Sequence, residues 1–122
     1  MEQDNTSPIA QDTVLAALGD ILEARKDQDP QASYVASLYT KGLDKILEKI
    51  GEEATEVILA AKNLDTDVDN TAHASALVAE VADLWFHSLV MLHHQNLDAH
   101  AVLAELASRF GISGHDEKAS RV

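Results

Sequence analysis

Five carboxylates stand out by type and spacing: Glu52, Glu53 and Glu56, then Glu80 and Asp83. Each group contains an acidic pair three residues apart, Glu53 with Glu56 and Glu80 with Asp83. On a helix, at roughly 100° per residue, the members of such a pair lie about 60° apart on one side. Like charges so placed weaken a helix by roughly 0.2–0.5 kcal/mol per pair, a penalty that a surface helix tolerates. A solvated acidic face is therefore one reading. Helical geometry supports another. Glu53 lies close in angle to Val57 and Ile46, and Leu84 borders Glu80, so each pair flanks an apolar stripe. If the two helices pack together, four carboxylates converge. Without a cation they repel and their pKa values rise. A hard divalent cation relieves that repulsion. An all-carboxylate set suits Mg²⁺ or Mn²⁺ better than Zn²⁺.

Three lysines, Lys41, Lys45 and Lys49, recur at i,i+4 spacing just before the first acidic group. Lys49 falls between Glu53 and Glu56 in helical angle. These lysines either solvate the helix and pair with Asp44, Glu48 and Glu53, or contact phosphate beside a metal. A chain of net charge −12 needs cations and local lysines to hold a polyphosphate. The histidines carry less information. His93 and His94 are adjacent and point about 100° apart, which is poor geometry for one shared ion. His87, one turn beyond Asp83, is placed to support the acidic group or to sit in the core. Trp85 reads as core or interface. Asp65, Asp67 and Asp69 imitate the start of an EF-hand. Its sixth position is Asn70 rather than Gly and its twelfth is Ala76 rather than Glu, so a solvated loop is the better reading. No G-x-S-x-G, P-loop, G-x-G-x-x-G or H-E-x-x-H is present, and no Glu-x-x-His of a di-iron bundle.

The elements that must carry these residues read as helices. Residues 52–110 contain neither Gly nor Pro, and no stretch alternates as a strand should. The pattern predicts four helices. The first runs from Pro8, capped by Ser7, to Arg25, with Val14, Leu15, Leu18, Ile21 and Leu22 on one face. The second runs from Ser33 to Asn63, with Gly42 and Gly51 inside it as places to bend. Its stripe is Ile46, Leu47, Ile50, Ala54, Val57, Ile58 and Ala61. The third spans residues 72–95, with Leu77, Val81, Leu84, Trp85, Leu89 and Leu92 mostly on one side, and Asn96 closes it. The fourth is capped by Asp98, stapled by Leu97 and Val102, and stopped after Phe110 by Gly111. The segment from about residue 112 onward has no periodicity and reads as a flexible tail. The fold class is all-α: one domain over residues 1–122, a bundle of about four helices.

Composition narrows the function classes. The 122 residues hold 9 Lys and Arg against 21 Asp and Glu, which argues against generic nucleic-acid binding and against an acidic membrane-surface helix. The longest stretch without Asp, Glu, Lys or Arg is residues 84–97, short of the ~20 residues of a membrane span. There is no Cys, so no disulfide framework and no thiolate site. The first residues lack a signal pattern. A soluble, cytoplasmic protein is the expectation. Such a small domain leaves long apolar faces exposed unless another copy covers them.

The run E-E-x-x-E at 52–56 followed by E-x-x-D at 80–83 resembles the signature of the MazG-like all-α NTP pyrophosphohydrolases. The flanks sharpen the resemblance. SYVASLYTKGLDKILEKIGEEATEVILAAKN at 33–63, EVADLWFHSLVML at 80–92 and LAELASRFGISGHDEKASR at 103–121 are similar to the phosphoribosyl-ATP pyrophosphatase family, across about residues 9–121. The resemblance implies hydrolysis of 1-(5-phosphoribosyl)-ATP to 1-(5-phosphoribosyl)-AMP and pyrophosphate by Mg²⁺-activated water, the second step of histidine biosynthesis. It implies Glu53, Glu56, Glu80 and Asp83 as metal ligands and Glu52 as a further ligand or a group that orients water. It implies a phosphate contact for Lys49, with Lys45 and Lys41 as further candidates. Ser33, Tyr34, Lys118 and Arg121 lie in family-like stretches with open roles. It also implies a homodimer. The partner cyclohydrolase domain often fused in the family is not present in this sequence. Two rival readings stay open: a house-cleaning dNTP pyrophosphatase, and a helical interaction module without activity.

Overall fold

A computed structural model describes residues 13–112. Five α-helices carry the described chain, and no strand occurs among the described residues. Helix α1 is Val14–Ala24, followed by a 3₁₀ turn at Arg25–Asp27. Helix α2 is Tyr34–Lys41, α3 is Leu43–Asp65, α4 is Thr71–His94 and α5 is Ala99–Phe110. The expected start of the first helix at Ser7 and Pro8, and the tail with Lys118 and Arg121, lie outside the described residues.

The segment expected as one helix from Ser33 is two. Gly42 adopts φ 97° and ψ −178°, a conformation closed to other residues and incompatible with a continuing helix. Its N–H closes α2 on the Leu38 carbonyl at 3.0 Å, and its own carbonyl accepts from Ile46 at 3.2 Å to begin α3. Gly51 stays inside α3. The other boundaries follow local chemistry. Ser33 caps α2 by accepting from Ala36 N–H, Asn70 caps α4 by accepting from Ala72 and His73, and Asp98 caps α5 by accepting from Ala101. Asn96 turns the chain at φ 63°, and Gly111 ends α5 in the left-handed region at φ 66°.

Helices α3 and α4 form the main pair, joined by a short loop and therefore antiparallel. Helices α1, α2 and α5 gather at the end of this hairpin away from its loop. The core lies there: Leu22, Val35, Leu38, Ile46, Leu89, Val90 and Ala99 are buried, with Leu15, Leu18, Tyr39, Ile50, Phe86, Met91 and Leu92 packed against them. Toward the loop the hairpin is bare. Ile58, Leu59 and Val78 are exposed large apolar residues. The stripe expected on α3 is thus covered at Ile46 and open at Leu47 and Ile58. Trp85 is not core; it is 59% exposed.

Helix α4 is long and apolar enough, by length and composition, to cross a membrane. It carries Glu80 and Asp83 within its span, costly in lipid, and it buries His87, Leu89, Val90 and His93 against the rest of the chain. Its C-terminal half supplies the core, while Val78 and Trp85 on the same helix stay exposed.

Candidate functional site

The antiparallel hairpin brings the two acidic motifs to the same depth below its loop. Glu53 on α3 and Glu80 and Asp83 on α4 place one carboxylate oxygen each within 4.8 Å of one another. Glu53 and Glu80 are half-buried and Asp83 is exposed. The Glu80 carboxyl is pushed above its ordinary range. Loss of solvent is the largest cause, followed by the charges of Glu53, Glu56 and Asp83 and a hydrogen bond with Glu53. Glu56, one turn along α3, lies outside the close triad, yet its charge is felt at Glu80.

Glu52 points elsewhere. Its Oε1 accepts from Lys49 Nζ at 3.1 Å. Lys49 thus pairs with Glu52 rather than with Glu53. Its ammonium is held above the ordinary lysine range, first by the hydrogen bond to Glu52, then by Tyr34 and the charges of Glu52 and Glu53. Lys45 pairs with Glu48 at 3.4 Å. Lys41 belongs to the last turn of α2, across the Gly42 break. The three lysines therefore do not form one continuous row, because the i,i+4 relation holds only within a helix.

Behind Asp83, a second arrangement emerges that spacing only half announced. His87 is buried at 5% exposure. Its Nδ1 lies 2.9 Å from the Asp83 carbonyl, and its Nε2 lies 2.8 Å from the Tyr34 hydroxyl. A carbonyl only accepts, so Nδ1 donates; in the neutral ring Nε2 then accepts, and the Tyr34 hydroxyl donates to it. The i,i+4 spacing of Asp83 and His87 hinted at support for the acidic group. Tyr34 sits 53 residues away, and no local pattern links it to His87.

The adjacent histidines take separate paths. His93 is buried and its Nδ1 meets Glu23 Oε2 at 2.6 Å. His94 lies near-parallel to the Tyr39 ring, centroids 6.3 Å apart. In the acidic loop, Asp67 accepts from the Asn70 amide at 3.1 Å.

The donors fit a hard divalent cation. The triad offers only carboxylate oxygens, and its mutual repulsion and the raised Glu80 pKa are what a bound cation would relieve. An all-α hairpin that holds such a cluster, with a lysine on the adjoining turn, defines a class of helical proteins with carboxylate donors open to a cation. The comparison with known families specifies the class: residues 15–110 match the phosphoribosyl-ATP pyrophosphohydrolase family, and the chain belongs to it. A phosphoribosyl-ATP pyrophosphatase of Hydrogenovibrio crunogenus is 56% identical over 108 residues, which span 88% of this chain and 92% of that protein.

Proposed function

We propose that this chain hydrolyses 1-(5-phosphoribosyl)-ATP to 1-(5-phosphoribosyl)-AMP and pyrophosphate, in the cytoplasm, as the second step of histidine biosynthesis. The observation that carries the reading is the convergence of Glu53, Glu80 and Asp83 on the α3–α4 hairpin of a chain from this family. Glu53, Glu80 and Asp83 would hold Mg²⁺, or Mn²⁺ in its place, with Glu56 as a fourth ligand reached by a side-chain rotation. When bound, the cation would neutralise charge on the triphosphate and lower the pKa of a water bound to it. The chain's own residues do the rest. Glu53, within the triad, would orient an attacking water or take its proton, and Glu52 would share that role once its pair with Lys49 opens. Lys49 can leave its exposed, solvent-screened pair with Glu52 to meet a phosphate oxygen. Lys45, one turn back, and Lys41, across the Gly42 break, add positive charge on the approach. The triphosphate would thus lie between an acidic flank and a basic one.

We further propose that residues 1–122 act as one domain within a homodimer. The exposed Ile58, Leu59 and Val78 of the bare hairpin support this, as does the apolar groove lined by Trp85, Leu103 and Leu106. Light scattering at micromolar concentration should give twice the chain mass.

The deciding experiment is pyrophosphate release from purified phosphoribosyl-ATP, with Mg²⁺ and then with chelator. Rapid release that chelation stops is expected. A folded helical sample that releases none overturns the reading. A canonical dNTP cleaved as fast as phosphoribosyl-ATP would move the assignment to the house-cleaning enzymes.

A further inference from the structure

Tyr34 combines three properties that rarely meet without a reason. It is half exposed, at 51%. Its hydroxyl is tied at 2.8 Å to a buried histidine. That histidine is tied in turn to the turn of α4 that carries Asp83. An exposed tyrosine with its hydroxyl in water has no need of a buried partner. Here the ring is instead fixed on the protein side, with Phe86 near-parallel at a centroid distance of 6.5 Å and His87 edge-on at 5.9 Å. Phe86 and His87 brace each other at 5.0 Å. The Gly42 break places α2, which begins at Tyr34, as an element separate from the acidic helix α3. Lys49, on α3, lies close enough to Tyr34 for the two side chains to interact electrostatically.

We propose that Tyr34 presents a fixed aromatic face to the purine of the nucleotide, and that His87 is the positioning residue that sets this face relative to Asp83. The inference rests on the nucleotide reading of the site given above. Its chemistry is general. Any base offers a π-face, and stacking on an aromatic side chain contributes about 1–3 kcal/mol by alanine substitution. A ring already immobilised loses little further freedom on binding. The two hydrogen bonds of His87 link the base contact and the carboxylate site through one buried ring. A nucleotide stacked on Tyr34 would then have its phosphates directed toward Lys49 and the acidic triad.

The test is steady-state pyrophosphate release by the full-length chain, paired with calorimetric binding of AMP and of inorganic tripolyphosphate. Tyr34→Ala should raise KM and weaken AMP roughly 5- to 100-fold, with kcat changed less than about threefold and tripolyphosphate binding unchanged. Tyr34→Phe, which keeps the ring but frees it from His87, should give a smaller rise in KM of about two- to fourfold. His87→Leu should raise KM comparably to Tyr34→Phe and also lower kcat through the Asp83 turn. His87→Gln, whose amide oxygen can still accept from the phenol, should restore KM. In a Tyr34→Phe background, His87→Leu should add nothing further to KM. An unchanged KM and AMP affinity in a folded Tyr34→Ala protein overturns the proposal. So does an equal loss of tripolyphosphate binding, which would make Tyr34 a phosphate or folding contact. If the wild-type chain releases no pyrophosphate, the catalytic reading fails separately, and AMP binding still decides the role of Tyr34.

Discussion

Helix α4 meets carboxylates at two places, and folding treats them in opposite ways. Midway along, Glu80 and Asp83 face Glu53 with only like charge between them, and the Glu80 carboxyl is pushed upward. At the C-terminal turn, His93 meets Glu23 at 2.6 Å and Lys26 joins the same carboxylate oxygen at 3.2 Å. There the Glu23 carboxyl is drawn below its ordinary range, first by the His93 hydrogen bond and then by Lys26. Lys26 also donates to Asn96 at 3.3 Å and lies 5.8 Å from the Tyr39 ring centre, while Tyr39 donates to the Leu22 carbonyl at 3.2 Å. Burial pushes the Tyr39 phenol up to about 12, because the neutral hydroxyl is the form the core accepts. The Glu23 corner is thus a set of complementary groups that ties α1, α2 and α4 together, with the His93 Nε2 left buried and unpaired in it. The acidic triad has its repulsion unbalanced. The contrast separates a carboxylate used to hold the fold from carboxylates open to a ligand.

The comparison can be broken most decisively at the triad. Glu80→Gln or Asp83→Asn should cut pyrophosphate release by about 100-fold or more, since one removed ligand forfeits several kcal/mol of charge stabilisation. In chelator, the melting temperature of the Glu80→Gln protein should equal or exceed that of the parent. A fall would mean that the cluster is structural after all. The sign follows from the shift. An acid whose folded pKa is raised opposes folding once pH passes its unfolded value, so neutralising it removes that opposition. Mg²⁺ at about 100 times its dissociation constant should stabilise the parent by about 2.7 kcal/mol and raise its melting temperature by several degrees. The Glu80→Gln chain should show much less.

The opposite corner should answer in stability rather than in chemistry. His93→Ala empties a buried site and should cost about 2–4 kcal/mol in urea unfolding, with kcat little altered. Glu23→Gln should cost less, about 1 kcal/mol or under, because the carboxylate is half exposed and screened. Its pH dependence has the opposite sign to that of Glu80. The Glu23 contribution is fully present above the ordinary carboxylate pKa and is lost as pH falls through its lowered folded value. A pH titration of stability in which Glu23→Gln and the parent converge on acidification checks this. The smallest effect belongs to Gly51. A methyl there meets nothing within 4 Å, so Gly51→Ala should stabilise α3 by roughly 0.5–1 kcal/mol through helix propensity. Gly42→Ala should do the reverse, because the φ of 97° strains any side chain. Thermal melts of the two variants provide the check.

Local chemistry made much of this legible in advance. The Ser33, Asn96, Asp98 and Gly111 boundaries follow from hydrogen-bonding side chains and left-handed turns that act within a few residues. The pairing of Glu53 with Glu80 and Asp83 was readable because both motifs flank apolar stripes that must face a common core. The break at Gly42 was less legible, since a glycine inside a periodic run either bends a helix or ends it, and the two outcomes share one sequence. Lys49 illustrates the same limit. Its angle lies between Glu53 and Glu56, but the side chain settles on Glu52 at i,i+3.

The sequence by itself determined the all-α class, most helix limits, the acidic signature and the family. These rest on periodicity, caps and residue identity, which are properties of short stretches. Only the tertiary structure decided that Glu56 stands outside the close triad, that Trp85 is a surface residue, that His93 answers to Glu23, and that His87 joins Tyr34 to the Asp83 turn. Each of these depends on where one helix lies against another. That placement is set by the summed burial of many side chains, and no local pattern encodes it.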